Sequence, residues 1–73
     1  MPKLPVLTPK KLIKILCKRG FYIHHQTGSH INIRHMTKEN VHVVIPYHNR
    51  DLAPKTLKSI MLQADISIEE LIS

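Results

Sequence analysis

The sequence predicts an α+β domain: a three-stranded antiparallel sheet with helices on one face, in the order α-β-β-β-α with a short extra helix at the end. Three patterns carry that expectation. Leu12, Ile13, Leu16 and Cys17 recur at helical spacing behind Thr8-Pro9. Three short strand-like runs follow: two alternate apolar and polar residues, around Ile23 and Ile31-Asn32-Ile33, and the third carries Val41, Val43 and Ile45 on one face. A second helical stripe, Leu57, Ile60, Met61 and Ala64, follows Ala53-Pro54. Seventy-three residues suit one small domain spanning 1–73, with a thin core that buries about 60% of the unfolded surface.

Each element has a local cause. Residues 1–7, with Pro2 and Pro5, read as an extended arm. Thr8 is a hydroxyl cap and Pro9 suits the first helical position, so a helix covers about 9–19. Its apolar stripe places Cys17 in the core and leaves Lys10, Lys11, Lys14 and Lys18 outside. Gly20 ends it as a left-handed residue. In the first two strands, Phe21 and Ile23 share one face, as do Ile31 and Ile33. Pairing Ile23 with Ile31 sends both sets to one core. It also leaves a three-residue loop, Gln26-Thr27-Gly28, with glycine at the left-handed third position. In that register His24 faces His30, while His25 and His35 take inner-face parity near strand ends.

Val41, Val43 and Ile45 supply the third strand's inner face, and Pro46 ends it because it cannot donate to the ladder. Ser67 with Glu70 three residues later is a capping box opening a final helix within 66–73, with Ile68, Leu71 and Ile72 as its apolar part. The helices cover one face of the sheet. The other face carries Tyr22, His24, His30, Asn32, Arg34 and His42, a cationic platform rich in histidine.

The charge is unevenly placed. Eleven Lys and Arg oppose five Asp and Glu. Residues 1–58 hold all the basic side chains and only Glu39 and Asp51, whereas 59–73 hold Asp65, Glu69 and Glu70 and no base. A basic body suits nucleic acid or an anionic membrane. No apolar run reaches the ~18 residues of a membrane span, and no signal-type stretch follows Lys3, so the expected location is the cytoplasm. One cysteine excludes an internal disulfide.

Six histidines raise the question of a metal. His24, His30 and His42 come nearest to a triad, but no His or Cys spacing matches a known zinc scaffold. No carboxylate cluster is present to hold Mg²⁺. No metal and no cofactor are therefore expected. Gly28-Ser29-His30 instead places a histidine, the side chain suited to proton transfer near neutral pH, beside a sharp turn on a basic surface. That arrangement suits acid–base chemistry at a phosphodiester, or plain phosphate binding.

Three stretches make the chain resemble the HicA-type toxins of toxin–antitoxin modules. They are Lys18-Arg19-Gly20-Phe21 at the end of the lysine-rich helix, Gln26-Thr27-Gly28-Ser29-His30, and Val44-Ile45-Pro46-Tyr47-His48 through Leu57-Lys58-Ser59-Ile60-Met61-Leu62-Gln63-Ala64 to Ile66-Ser67. The resemblance covers most of residues 8–72. Where many members carry glycine soon after the histidine matching His48, this chain runs Asn49-Arg50-Asp51. The resemblance implies a double-stranded-RNA-binding-domain-like fold, endoribonuclease activity on mRNA, and neutralisation by a HicB-type antitoxin protein. It maps the catalytic histidine onto His30. Candidate RNA contacts are then Ser29, Arg34, Lys55 and Lys58, with Tyr22 available to stack a base and His24 as a second acid or base. From the residues alone two other readings stay open: a non-catalytic RNA-binding module of the same fold, and a small interaction protein whose open sheet face docks an acidic partner. Both leave Gly28-Ser29-His30 without a catalytic task.

Overall fold

A computed structural model of the protein describes residues 3–72; Met1 and Pro2 of the expected arm and Ser73 of the expected last helix lie outside them. The order is α1 (Pro9–Lys18), β1 (Phe21–Thr27), β2 (His30–His35), β3 (His42–Pro46), α2 (Pro54–Ala64) and α3 (Ile68–Ile72). The strands form one antiparallel sheet in the order β1-β2-β3. α1 packs against β1 and α2 against β3. Leu12 and Leu16 of α1 and Leu57 and Ile60 of α2 are buried together with Ile31, Ile33, Val43 and Ile45 of the sheet. The α+β fold with helices covering one sheet face is therefore present. Among the described residues no helix is long and apolar enough to cross a membrane.

α1 starts as its residues dictate. Thr8 Oγ1 accepts from the Lys11 N–H at 3.4 Å, and Pro9 takes the first turn. Cys17 is exposed, not in the core. The buried arc of α1 runs through Pro9, Leu12, Ile13 and Leu16; at about 100° per residue Cys17 falls outside it on the Ile13 flank, while Ile15 packs against the core from the Leu12 flank. Gly20 closes the helix at φ +91°. There the chain is knotted by His35, whose Nδ1 accepts the Thr37 and Lys38 N–H groups at 3.1 and 3.2 Å. The proton is thereby left on Nε2, which donates to the Arg19 carbonyl at 3.1 Å. The ring stands edge-on to Phe21 at 4.7 Å, so this histidine is partly buried, as its parity predicts.

The β1–β2 register differs from the expected one. Ile23 pairs with Ile33, not Ile31, and the ladder breaks between Ile23 and His25. His24 is the extra residue of a β-bulge. Beyond it the facing parity is switched: His25 opposes Asn32, Gln26 opposes Ile31 and Thr27 opposes His30. The connection is a two-residue turn, Gly28-Ser29, instead of a three-residue loop. Only Gly28 has positive φ, at +56°, the glycine-first pattern of a type II′ hairpin. The bulge lets Ile31 and Ile33 keep the core face while the turn shortens. It also puts His25 level with outer-face Asn32, against the inner-face expectation.

The remaining elements follow the pattern closely. β3 begins at His42, with Val41 half-buried just before it. Its free edge is capped at Val44, whose N–H donates to Gln63 Oε1 of α2 at 3.1 Å. α2 ends on Asp65 in the left-handed region at φ 56°. The capping box is reciprocal: Ser67 N–H donates to Glu70 Oε1 at 3.1 Å and Glu70 N–H to Ser67 Oγ at 3.2 Å. Leu71 is buried, whereas Ile72, expected to share its apolar face, is exposed. The arm is held down through buried Leu7, whose carbonyl accepts from the Leu52 N–H at 2.8 Å.

Candidate functional site

His30 opens the central strand β2, exposed and immediately after the Gly28-Ser29 turn. Its backbone is flanked on both sides, by Thr27 of β1 and Pro46 of β3. The turn itself is tied twice. Gln26 Nε2 donates to the Gly28 carbonyl at 3.2 Å, and the Tyr47 N–H donates to the Ser29 carbonyl at 2.6 Å. A solvent-facing imidazole on so constrained a backbone is well placed for proton transfer to a bound ligand.

The other histidines of the open face are spread along the sheet: His25 opposes Asn32, two residues along β2 from His30, His24 is the bulge residue beside it, and His42 pairs with Arg34 at the far end. Tyr22 pairs with Arg34, and Arg34 with His42. The His24 and His25 rings meet at 5.1 Å. The Arg34 guanidinium, followed by slight desolvation and the His25 and His42 rings, holds His24 below the ordinary imidazole value. Arg34 is four residues along β2 from His30, about 13 Å at the rise of a strand. The expected His24–His30 pair across the strands is absent, because the two-residue turn puts Thr27 opposite His30. Among the described residues no three His, Cys, Asp or Glu side chains are grouped so as to hold a metal ion.

Of the other sequence candidates, Ser29 stands in the turn next to His30. Lys55 and Lys58 are exposed on α2. Lys58 borders an apolar cleft of 340 Å³ with Leu4, Met61, Leu62 and Ile66, between the arm, α2 and α3. That cleft shares no lining residue with the clefts beside the hairpin.

Those clefts bring in side chains that sequence reasoning passed over. Lys10 and Tyr47 border two of them, one continuing toward Lys14 and Gln26 and the other toward His48 and Asn49. His48 also borders a third, with Arg50 and Thr56 at the start of α2. Its Nδ1 accepts the Arg50 N–H at 3.1 Å, so its proton sits on Nε2 as an outward donor. One signal for this group was present: Pro46 ends β3 opposite His30, so Tyr47-His48 must leave the sheet beside the turn.

The arrangement unites an exposed, backbone-fixed histidine with a cationic rim and shallow clefts, features suited to an extended anionic ligand. A family model described as the HicA toxin of bacterial toxin–antitoxin systems matches residues 9–66, from the first residue of α1 to the segment before α3. Comparison with curated proteins gives no match.

Proposed function

The chain belongs to the HicA family of toxins from toxin–antitoxin modules, and on that footing we propose that it is an endoribonuclease that cleaves mRNA by histidine acid–base chemistry. The observation that carries this reading is His30, exposed at the start of the central strand beneath a turn anchored from both sides. In the proposed step His30 moves a proton, as general base at a ribose 2′-hydroxyl or general acid at the leaving oxygen. Ser29 contacts the phosphate beside it. Arg34, Lys55 and Lys58 hold flanking phosphates, and Tyr22 stacks a base on the open face. His24 has no part in the same proton transfer, since Thr27 and not His24 stands opposite His30. The reaction needs no metal in this scheme. The partner is a HicB-type antitoxin and the site of action the cytoplasm.

Cleavage of an mRNA by the purified chain in the presence of a chelator tests the reading. The chain should cut, and His30→Ala should abolish cutting while leaving the fold and antitoxin binding intact, because the ring is exposed and adds little to the core. A folded His30→Ala protein that cuts at full rate would overturn the assignment. A chain that binds RNA without cutting it would be the non-catalytic module.

A further inference from the structure

The cleft between α1 and the β1–β2 hairpin has no assigned ligand. It measures about 300 Å³, the lower end of small-ligand pockets, and so has room for one compact group. Its lining includes Ile13, Ile23 and Ile31, with Lys10 and Lys14 of α1 also at its border. Tyr47, 40% exposed, and Gln26 complete it. Ile23 is 50% exposed there, apolar surface that the core leaves open.

We infer that this cleft binds one unpaired nucleobase of the RNA strand on which His30 acts, with Tyr47 as its stacking platform and Gln26 reading its edge. The inference rests on the ribonuclease reading above and adds to it a single-stranded substrate and a base-reading site. Four features favour a base over another apolar ligand. An aromatic ring beside an aliphatic lining offers the flat, sequence-tolerant contact that bases use. Two lysines at the border match phosphates on either side of a stacked base. Gln26 spends its Nε2 on the Gly28 carbonyl and keeps Oε1 as an acceptor, which suits a base presenting an amino group, adenine or cytosine. Finally, both polar members are bonded to the residues that precede His30. Gln26 holds Gly28, and the Tyr47 backbone holds Ser29. The pocket's stacking and reading residues are thus tied to the same turn that carries His30 into β2, so a strand passing around the sheet edge at this turn would hold its base and its scissile phosphate in a set relation. The bulge has a role in this: by switching parity after His24, it sets Gln26 level with core-facing Ile31.

Binding is measured by fluorescence anisotropy in a His30→Ala background, so that the probes survive. The probes are labelled single-stranded oligo(A) and oligo(U) RNA and an RNA duplex of equal length. Tyr47→Ala should weaken oligo(A) binding about tenfold and leave duplex binding unchanged. Tyr47→Phe should restore it, and Gln26→Met should erase the preference for oligo(A) over oligo(U). Single-strand affinity unchanged in Tyr47→Ala, or a duplex bound better than either single strand, would overturn the inference. Cleavage is read separately with His30 intact. A chain that fails to cut but loses oligo(A) binding on Tyr47→Ala refutes the ribonuclease reading and supports the pocket. A chain that cuts with the same positions and rate after Tyr47→Ala refutes the pocket alone.

Discussion

His30 and His24 lie on the same sheet with opposite surroundings. His30 stands at the turn end of β2, while His24 is the bulge residue of β1 and feels Arg34, His25 and His42. Arg34 above all lowers the His24 pKa, so the folded protein takes up that proton less readily than the unfolded chain does. The sign follows from linkage. A depressed pKa leaves its stability contribution intact above the unfolded value of about 6.5 and withdraws it as pH falls through the folded value. Acidification should therefore destabilise the protein partly through His24. The fall in Tm between pH 7.5 and 5.5, about the span of a histidine titration, should be smaller for His24→Gln than for the wild type. Equal falls would mean that Arg34 and the neighbouring rings do not act on His24 in solution. The histidines also show what sequence can reveal at this scale. His30 was legible because glycine, turn and charge lie within a few residues of it. His48 and Tyr47 were not, since their value comes from Lys10 and the hairpin, which reach them only in the folded chain.

Gly20 and Gly28 both have positive φ, at +91° and +56°, yet the elements around them ask different things of a substitution. A Cβ at Gly20 would lie 2.9 Å from His35 Nε2, whereas one at Gly28 meets nothing within 4 Å. The His35 ring cannot easily retreat, being held by the Thr37 and Lys38 N–H groups and packed on Phe21. Gly28→Ala should cost about 1 kcal/mol, the expense of the left-handed region for a residue with a side chain. Gly20→Ala should cost about 2 kcal/mol or more, since it adds displacement of His35 to that term. Urea midpoints at constant m check this; equal shifts for the two variants would show that His35 yields freely. Elements whose causes are local were readable beforehand. The Thr8-Pro9 start and the Ser67–Glu70 box depend on residues three apart and form as expected. The β1 register was not readable. Both pairings put Ile31 and Ile33 in the core, and the choice between them turns on a bulge that no single residue announces.

At the scale of the molecule, the basic body presents its charge on several surfaces. Lys10 and Lys14 border the clefts beside the hairpin, and Lys58 borders the cleft by the arm. The α+β class could be inferred from the order of patterns along the chain, but this partition of the lysines depends on how α1 and α2 dock. If the α2 lysines hold phosphates, Lys55→Glu with Lys58→Glu should weaken RNA binding for every sequence alike. It should also flatten the salt dependence by roughly one unit of slope for each phosphate no longer neutralised; an unaltered slope would take α2 out of the RNA path. The same charge shapes control. A toxin of this family acts against its own host unless an antitoxin restrains it, and a basic protein meets an acidic inhibitor fastest. On the proposed reading that inhibitor must block His30 or the phosphate path around it. The open sheet face offers exposed Tyr22 and half-buried Asn32 and Arg34 on the same sheet as His30. We therefore expect the antitoxin to cover this face and His30 to lose solvent access. Diethylpyrocarbonate should modify His30 in the free chain and spare it in the complex. If an inhibited complex left His30 as reactive as in the free chain, inhibition would have to act through a change in the toxin's shape, and the face would be free for another partner.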